Sequence, residues 1–203
     1  MRPDLDLVAG WVPRSARVLD LGCGDGALLE HLARERGCET LGIDLDGDAL
    51  DASIARGVPV VQADIDRGLP DLGDDSFDLV VLSQTLQATH RPALVLREMM
   101  RVGRRAVVSF PNFGHWRLRA GLVLGGRMPS SRVLPDSWHE TRNIHLCTLR
   151  DFEELAGAER MRIAERVLLG LDGRPRDGTS TRRRPNLLAA GAAYLLECDG
   201  RGA

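Results

Sequence analysis

Asp20, Asp44 and Asp64, together with Gly22, Gly24 and Gly26, carry the spacing on which chemistry in this chain must rest. Asp20 stands two positions ahead of Gly22 in the run Arg17-Val-Leu-Asp-Leu-Gly-Cys-Gly-Asp-Gly26. Glycines have no Cβ, so the backbone there turns sharply and brings its amides within hydrogen-bond distance of a ligand lying across the strand end. Ala27 to Arg36 reads as a helix whose N-terminus aims the positive end of its dipole at the same place. Asp44 then follows the glycine loop by about twenty residues, after a second strand, the interval at which an acid meets a ribose diol.

The elements that must hold these residues alternate. Short apolar runs at 17–21, 39–43 (ending at Asp44), 58–62 (ending before Asp64), 77–82 and 106–110 read as strands. Helical spacing appears at 27–36, 47–56 (closed by Gly57) and 93–102. Such alternation predicts a parallel sheet wound on both faces. Beyond Pro111 the rhythm changes. A helix is expected over 115–125, a loop-rich stretch over 126–147, a helix over 150–158 and strands over 163–169 and 192–197. The Gly/Pro/Arg-rich segment 172–184 has the composition of a mobile one. At 203 residues the chain suits a single domain, 1–203, with no internal repeat.

In such a sheet the three aspartates line one crevice at the C-terminal strand ends. A ligand matching them carries an amine, a ribose diol and an amino-bearing base, and no phosphates. S-adenosylmethionine (SAM), or S-adenosylhomocysteine, meets that description: Asp44 accepts the ribose hydroxyls, Asp64 accepts the adenine amino group and Asp20 sits near the methionyl ammonium. Gly22, Cys23, Gly24, Leu45, Ile65, Ser83 and Gln84 complete the expected cofactor-binding set. The glycines also satisfy the dinucleotide pattern, so NAD stays open on them alone. Asp64 has a competing reading as a turn-capping residue ahead of Asp66 and Gly68.

Composition removes other chemistries. All 27 basic residues are arginine. Without lysine there is no Schiff base, no Walker A loop and no Tyr-x-x-x-Lys hydride-handling pair. The formal charge of −2 makes no field for nucleic acid or an anionic membrane. Cys23, Cys38, Cys147 and Cys198 show no metal-ligand spacing, no metal is assigned, and nothing at the N-terminus reads as a signal peptide. The longest apolar run, 187–196, is too short to cross a bilayer. A cytoplasmic protein with free thiols is expected.

No catalytic residue stands out. After the fourth strand come Ser83-Gln84-Thr85-Leu86-Gln87, without the Asp/Asn-Pro-Pro-Tyr arrangement that holds an amine or amide nitrogen. His31 reads as a surface residue and His90 as serving the start of the helix after Pro92. His115, His139 and His145 read as structural before they read as lining an acceptor pocket.

Asp20 to Gly26, Asp44, Asp64 and Phe77-Asp-Leu-Val-Val81 resemble class I SAM-dependent methyltransferases. Longer strings narrow this: Val81-Leu-Ser-Gln-Thr-Leu-Gln-Ala88, Leu96-Arg-Glu-Met99, Val102-Gly-Arg-Arg105, Ser109-Phe-Pro-Asn-Phe-Gly-His-Trp-Arg117, Gly125-Gly-Arg-Met-Pro129 and Asn143-Ile-His-Leu-Cys-Thr148 are similar to the MetW proteins of bacterial methionine biosynthesis. His139, Glu140 and Arg142, beside Trp138, depart from that pattern, as does 174–184. The resemblance implies a Rossmann-like α/β fold with a mostly parallel seven-stranded sheet and an antiparallel last strand. It also implies SAM as cofactor and an accessory role beside homoserine O-acyltransferase; the aromatics and arginines of 113–116 and 126–138 make those segments the candidate contact elements. The alternative is an active methyltransferase on a small cytoplasmic acceptor, drawn to Arg117, Arg119 or Arg142.

Overall fold

The computed structural model describes residues 3–128, 144–176 and 178–198. Helix α1 (Pro3–Trp11) leads into β1 (Arg17–Leu21), α2 (Ala27–Arg36), β2 (Glu39–Asp44), α3 (Gly47–Ala55), β3 (Val60–Gln62), β4 (Leu79–Ser83), α4 (Pro92–Val102) and β5 (Arg105–Pro111). There follow α5 (Trp116–Gly125), α6 (Leu149–Ala158), β6 (Met161–Leu169), α7 (Thr179–Arg183), α8 (Pro185–Leu188) and β7 (Gly191–Cys198). The strands form one sheet in the order β3-β2-β1-β4-β5-β7-β6, parallel except for β7, which runs antiparallel to both neighbours. This is a single-domain, Rossmann-like α/β fold, and β7 is the antiparallel last strand expected of it.

Alternation along the central strands divides the core between the two sheet faces. Val80 and Leu82 of β4 join Leu19, Leu21, Val108 and Phe110 under α4 and α6, where Leu96, Met99 and Phe152 pack. Leu79 and Val81 join Val18 and Val107 on the other face, against Leu28 and Leu32 of α2, Val8 and Ala9 of α1, and Val12 just after it. All of β4 is buried, as a strand covered on both sides must be.

Helix α1 has no counterpart among the predicted elements. Leu5, Val8, Ala9 and Val12 do recur at helical spacing, but the Asp-Leu-Asp-Leu alternation and Gly10 obscure the period. Between β6 and β7, Leu169 bridges Pro175, and α7 and α8 occupy part of a stretch with little sequence periodicity. The start of α4 is also served differently from the expected role of His90. The Asp66 carboxylate accepts from the backbone amides of His90 and Arg91 at 2.9 and 2.7 Å, while the His90 side chain is exposed. A carboxylate from a distant turn satisfies these two amides beside the N-terminus of α4, ahead of Pro92.

A two-compartment cleft at the sheet switch point

Strand order reverses between β1 and β4, so the crevice at their C-terminal ends is the natural ligand site of this topology. Two cavities open there. One, of about 1000 Å³, is lined by Leu5, Asp20, Cys23, Gly24, Ser83 and Gln84 among others, and its outer wall carries His31, Arg34 and Arg56. The other, of about 390 Å³, is lined by Asp44, Leu45, Asp46, Asp64, Ile65 and Asp66, with Ala88 and Thr89 opposite. Gly22 and Thr85 line both. All ten residues expected to bind a cofactor are therefore brought to this pair of cavities.

The partition between the cavities explains Gly22. Its φ is +73°, and an added Cβ would lie 2.5 Å from Thr85 Oγ1. Only glycine meets both conditions. Gly26, with φ +70°, likewise leaves room for Ser53, whose hydroxyl donates to the Gly24 carbonyl at 2.8 Å and braces the loop against α3.

Asp44 lines the smaller cavity and also braces the glycine loop. Its Oδ2 accepts from the Gly24 amide at 2.8 Å and its Oδ1 from the Asp46 amide at 3.0 Å, so the carboxylate ties the glycine loop to the end of β2. Each oxygen retains a lone pair for a hydroxyl. Asp64 serves the turn and lines the smaller cavity: Oδ1 accepts from the Asp66 amide at 3.0 Å and Oδ2 pairs with Arg67 at 3.4 Å. Neither turn function was separable from ligand contact in the sequence, because both need the same carboxylate at the same strand end.

Cys23 lines the larger cavity but offers no nucleophile. Burial first, then the charges of Asp20 and Asp44, push its thiol up to about 12, leaving it protonated at neutral pH. Gln84 adopts φ +58°, an unusual backbone for a side chain of its size. It is held there by its amide donating to the Ser109 carbonyl at 2.8 Å and by Gln87 Nε2 donating to its own carbonyl at 2.7 Å. Thr85, Asp46, Asp66 and Leu5 are lining residues that sequence reasoning missed. Position two after Asp44 and Asp64 was the available signal for the two aspartates.

Among the described histidines, only His31 lines either cavity, on the outer wall of the larger one. His115 is buried and caps α5, its Nδ1 accepting from the Arg117 amide at 3.3 Å. Burial, and then Arg117, hold its pKa below the usual imidazole value. His145 is exposed and its backbone amide donates to the Gln87 carbonyl. Trp116 is exposed, lines neither cavity and carries the Arg117 guanidinium over its ring at 5.5 Å. Trp138, His139, Glu140 and Arg142 lie outside the described residues.

Chemically, the smaller cavity presents four aspartates and no arginine or histidine among its lining residues. Such a wall accepts hydroxyl and amino protons and repels phosphate. Its set of acceptors fits a nucleoside rather than a pyrophosphate.

Comparison with known proteins agrees with this architecture. The family model described as methionine biosynthesis protein MetW matches residues 2–196. A bifunctional methionine biosynthesis protein MetXA/MetW from Rhodopirellula baltica is 37% identical over 199 residues, covering 94% of this chain and 32% of that protein. The chain spans about a third of the length of the curated relatives it matches first. Among solved structures, an S-adenosylmethionine-dependent methyltransferase from Mesorhizobium loti superposes with a TM-score of 0.67 at 22% identity, covering 95% of this chain and 99% of that one. The [4+2]-cyclase SpnF does so with a TM-score of 0.67 at 20% identity, covering 96% and 80%.

Proposed function

The chain belongs to the MetW family of methionine biosynthesis proteins, and from that membership and the cleft we propose that it is a SAM-binding accessory subunit of homoserine O-acyltransferase. The observation that carries the ligand is the acidic, arginine-free smaller cavity joined to the larger one across Gly22 and Thr85. In this reading Asp44 accepts the ribose hydroxyls, Asp64 the adenine amino group, and Asp20 with the loop amides faces the amino-acid end. Leu45, Ile65, Ser83 and Gln84 flank the two moieties. When bound, SAM would supply an activated methyl group.

The fused relative supports the partner: in that protein the two named components share one polypeptide, which keeps them at high effective concentration. The fold leaves the role open, since a [4+2]-cyclase shares it. On this chain the surface that suits a partner is α5, on which Trp116, Leu122, Val123 and Leu124 are all exposed. Calorimetry with SAM tests the ligand. A homoserine O-acyltransferase assay with and without the protein, alongside light scattering of the mixture, tests the role. No complex and no rate change would end the accessory reading.

The alternative, methyl transfer to a small acceptor, draws on the size of the larger cavity, which leaves room beside an amino-acid moiety. Formation of S-adenosylhomocysteine from a cytoplasmic metabolite pool would decide for it.

A further inference from the structure

We propose that the Thr85 hydroxyl makes the cleft prefer a ligand that carries positive charge where it crosses between the two cavities, so that the sulfonium of SAM is held more tightly than the neutral thioether of S-adenosylhomocysteine. This rests on the SAM reading and deepens it. Gly22 and Thr85 are the described residues that line both cavities. A ligand that fills both therefore passes them.

The end of β4 fixes Thr85 in place. Gln84 turns the chain at φ +58°, its amide held by the Ser109 carbonyl, and the residue after it comes down on the glycine loop. Both branches of the Thr85 side chain lie against Gly22: a Cβ added there would sit 2.5 Å from Oγ1 and 2.6 Å from Cγ2. A β-branched side chain has few χ1 choices, and here one branch is bonded as well. Oγ1 donates to the Ser83 carbonyl at 3.2 Å. With its proton committed, the oxygen presents lone pairs and no donor.

Two backbone groups of the partition are engaged within the protein. The Gly22 amide donates to the Ile43 carbonyl at 2.7 Å, and the Thr85 carbonyl accepts from the Ala88 amide at 2.8 Å. The arginines that line the larger cavity, Arg34 and Arg56, form ion pairs with Glu30 and Asp25 on its outer wall. In SAM the sulfonium joins the adenosyl group to the amino-acid chain. With the nucleoside in the smaller cavity and the amino-acid end in the larger, that charge crosses the partition that Thr85 forms. A hydroxyl oxygen in a half-buried cleft attracts a sulfonium and the polarised C–H groups on it. A thioether sulfur has lone pairs of its own and gains nothing from that oxygen. Thr85 acts as a specificity residue for ligand charge, and Gly22 lets it come close.

Calorimetry on the full chain reads this with four probes: SAM; sinefungin, in which an amine-bearing carbon replaces the methyl-bearing sulfur; S-adenosylhomocysteine; and 5′-methylthioadenosine. Thr85→Val keeps the branched shape and removes the oxygen. It should lower affinity for SAM and sinefungin about fivefold or more and leave the two thioethers within about twofold of the parent. Thr85→Ala also lacks the oxygen and relieves Gly22, so it should show the same fall in the ratio of SAM to S-adenosylhomocysteine affinity. Thr85→Ser keeps the oxygen and should retain the parent's ratio. Equal weakening of all four ligands in Thr85→Val and Thr85→Ala would show that Thr85 only shapes the partition, and unchanged binding of all four would show that its hydroxyl is idle. Either result overturns the proposal and leaves the SAM reading standing. Failure of the unsubstituted protein to bind SAM at all would overturn the SAM reading itself, and this inference with it.

Discussion

Asp44 shows how much one carboxylate can carry. It holds the Gly24 and Asp46 amides and faces the smaller cavity, so replacing it removes the proposed ligand contact and a brace of the glycine loop together. Asp44→Ala is expected to abolish SAM binding in calorimetry and also to lower stability by about 1–2 kcal/mol, read as a fall in thermal midpoint. An unchanged midpoint would mean that the two amides find other partners. Gly22 gives a complementary case. Gly22→Ala forces a Cβ against Thr85 at φ +73°, with a backbone penalty of about 1–2 kcal/mol. Adding Thr85→Ala removes the contact but not the backbone penalty, so the double variant should recover only part of the lost midpoint.

At the scale of the element, α5 depends on an imidazole for its start. Nδ1 of His115 accepts from the Arg117 amide and must be unprotonated to do so. Its folded pKa lies below the ordinary 6.5, so on acidification the unfolded chain takes up the proton first. The stability this cap contributes is therefore complete above about pH 6.5 and is lost as pH falls through the depressed value. His115→Asn keeps a side-chain acceptor at the N-cap and removes the titration. Thermal midpoints of the two proteins from pH 8 to pH 5 should diverge only below pH 6.5, the parent falling faster; parallel curves would contradict the cap's role. The loop that follows the smaller cavity is held in a different way. Arg101 donates to Glu98, Asp74 and the carbonyls of Leu69 and Leu72, strapping residues 69–74 to α4.

Across the whole molecule, the ligand cleft and the exposed apolar stretch of α5 are separate features. Val123 and Leu124 are 80% and 86% exposed and line neither cavity. Val123→Glu should leave thermal midpoint and SAM affinity as they are, since an exposed valine contributes little to the fold. The same change should weaken association with homoserine O-acyltransferase by at least tenfold in a titration, if α5 is the docking element. Retained association would move the interface elsewhere. No helix among the described residues is long and apolar enough to cross a membrane.

The amino-acid sequence alone determined most of the scaffold and the positions of Asp20, Asp44 and Asp64, because strands, glycine turns and helix starts obey local periods and local backbone limits. Helix α2 falls on the expected residues, Ala27–Arg36, and β2 and β5 within a residue of theirs. Tertiary structure decided what those positions share. That Thr85 divides the cleft opposite Gly22, that Asp66 serves the start of α4, and that Asp4 meets Ser83 are contacts between segments far apart in the chain. No local period encodes them; they arise only when the sheet closes and two cores pack against its faces.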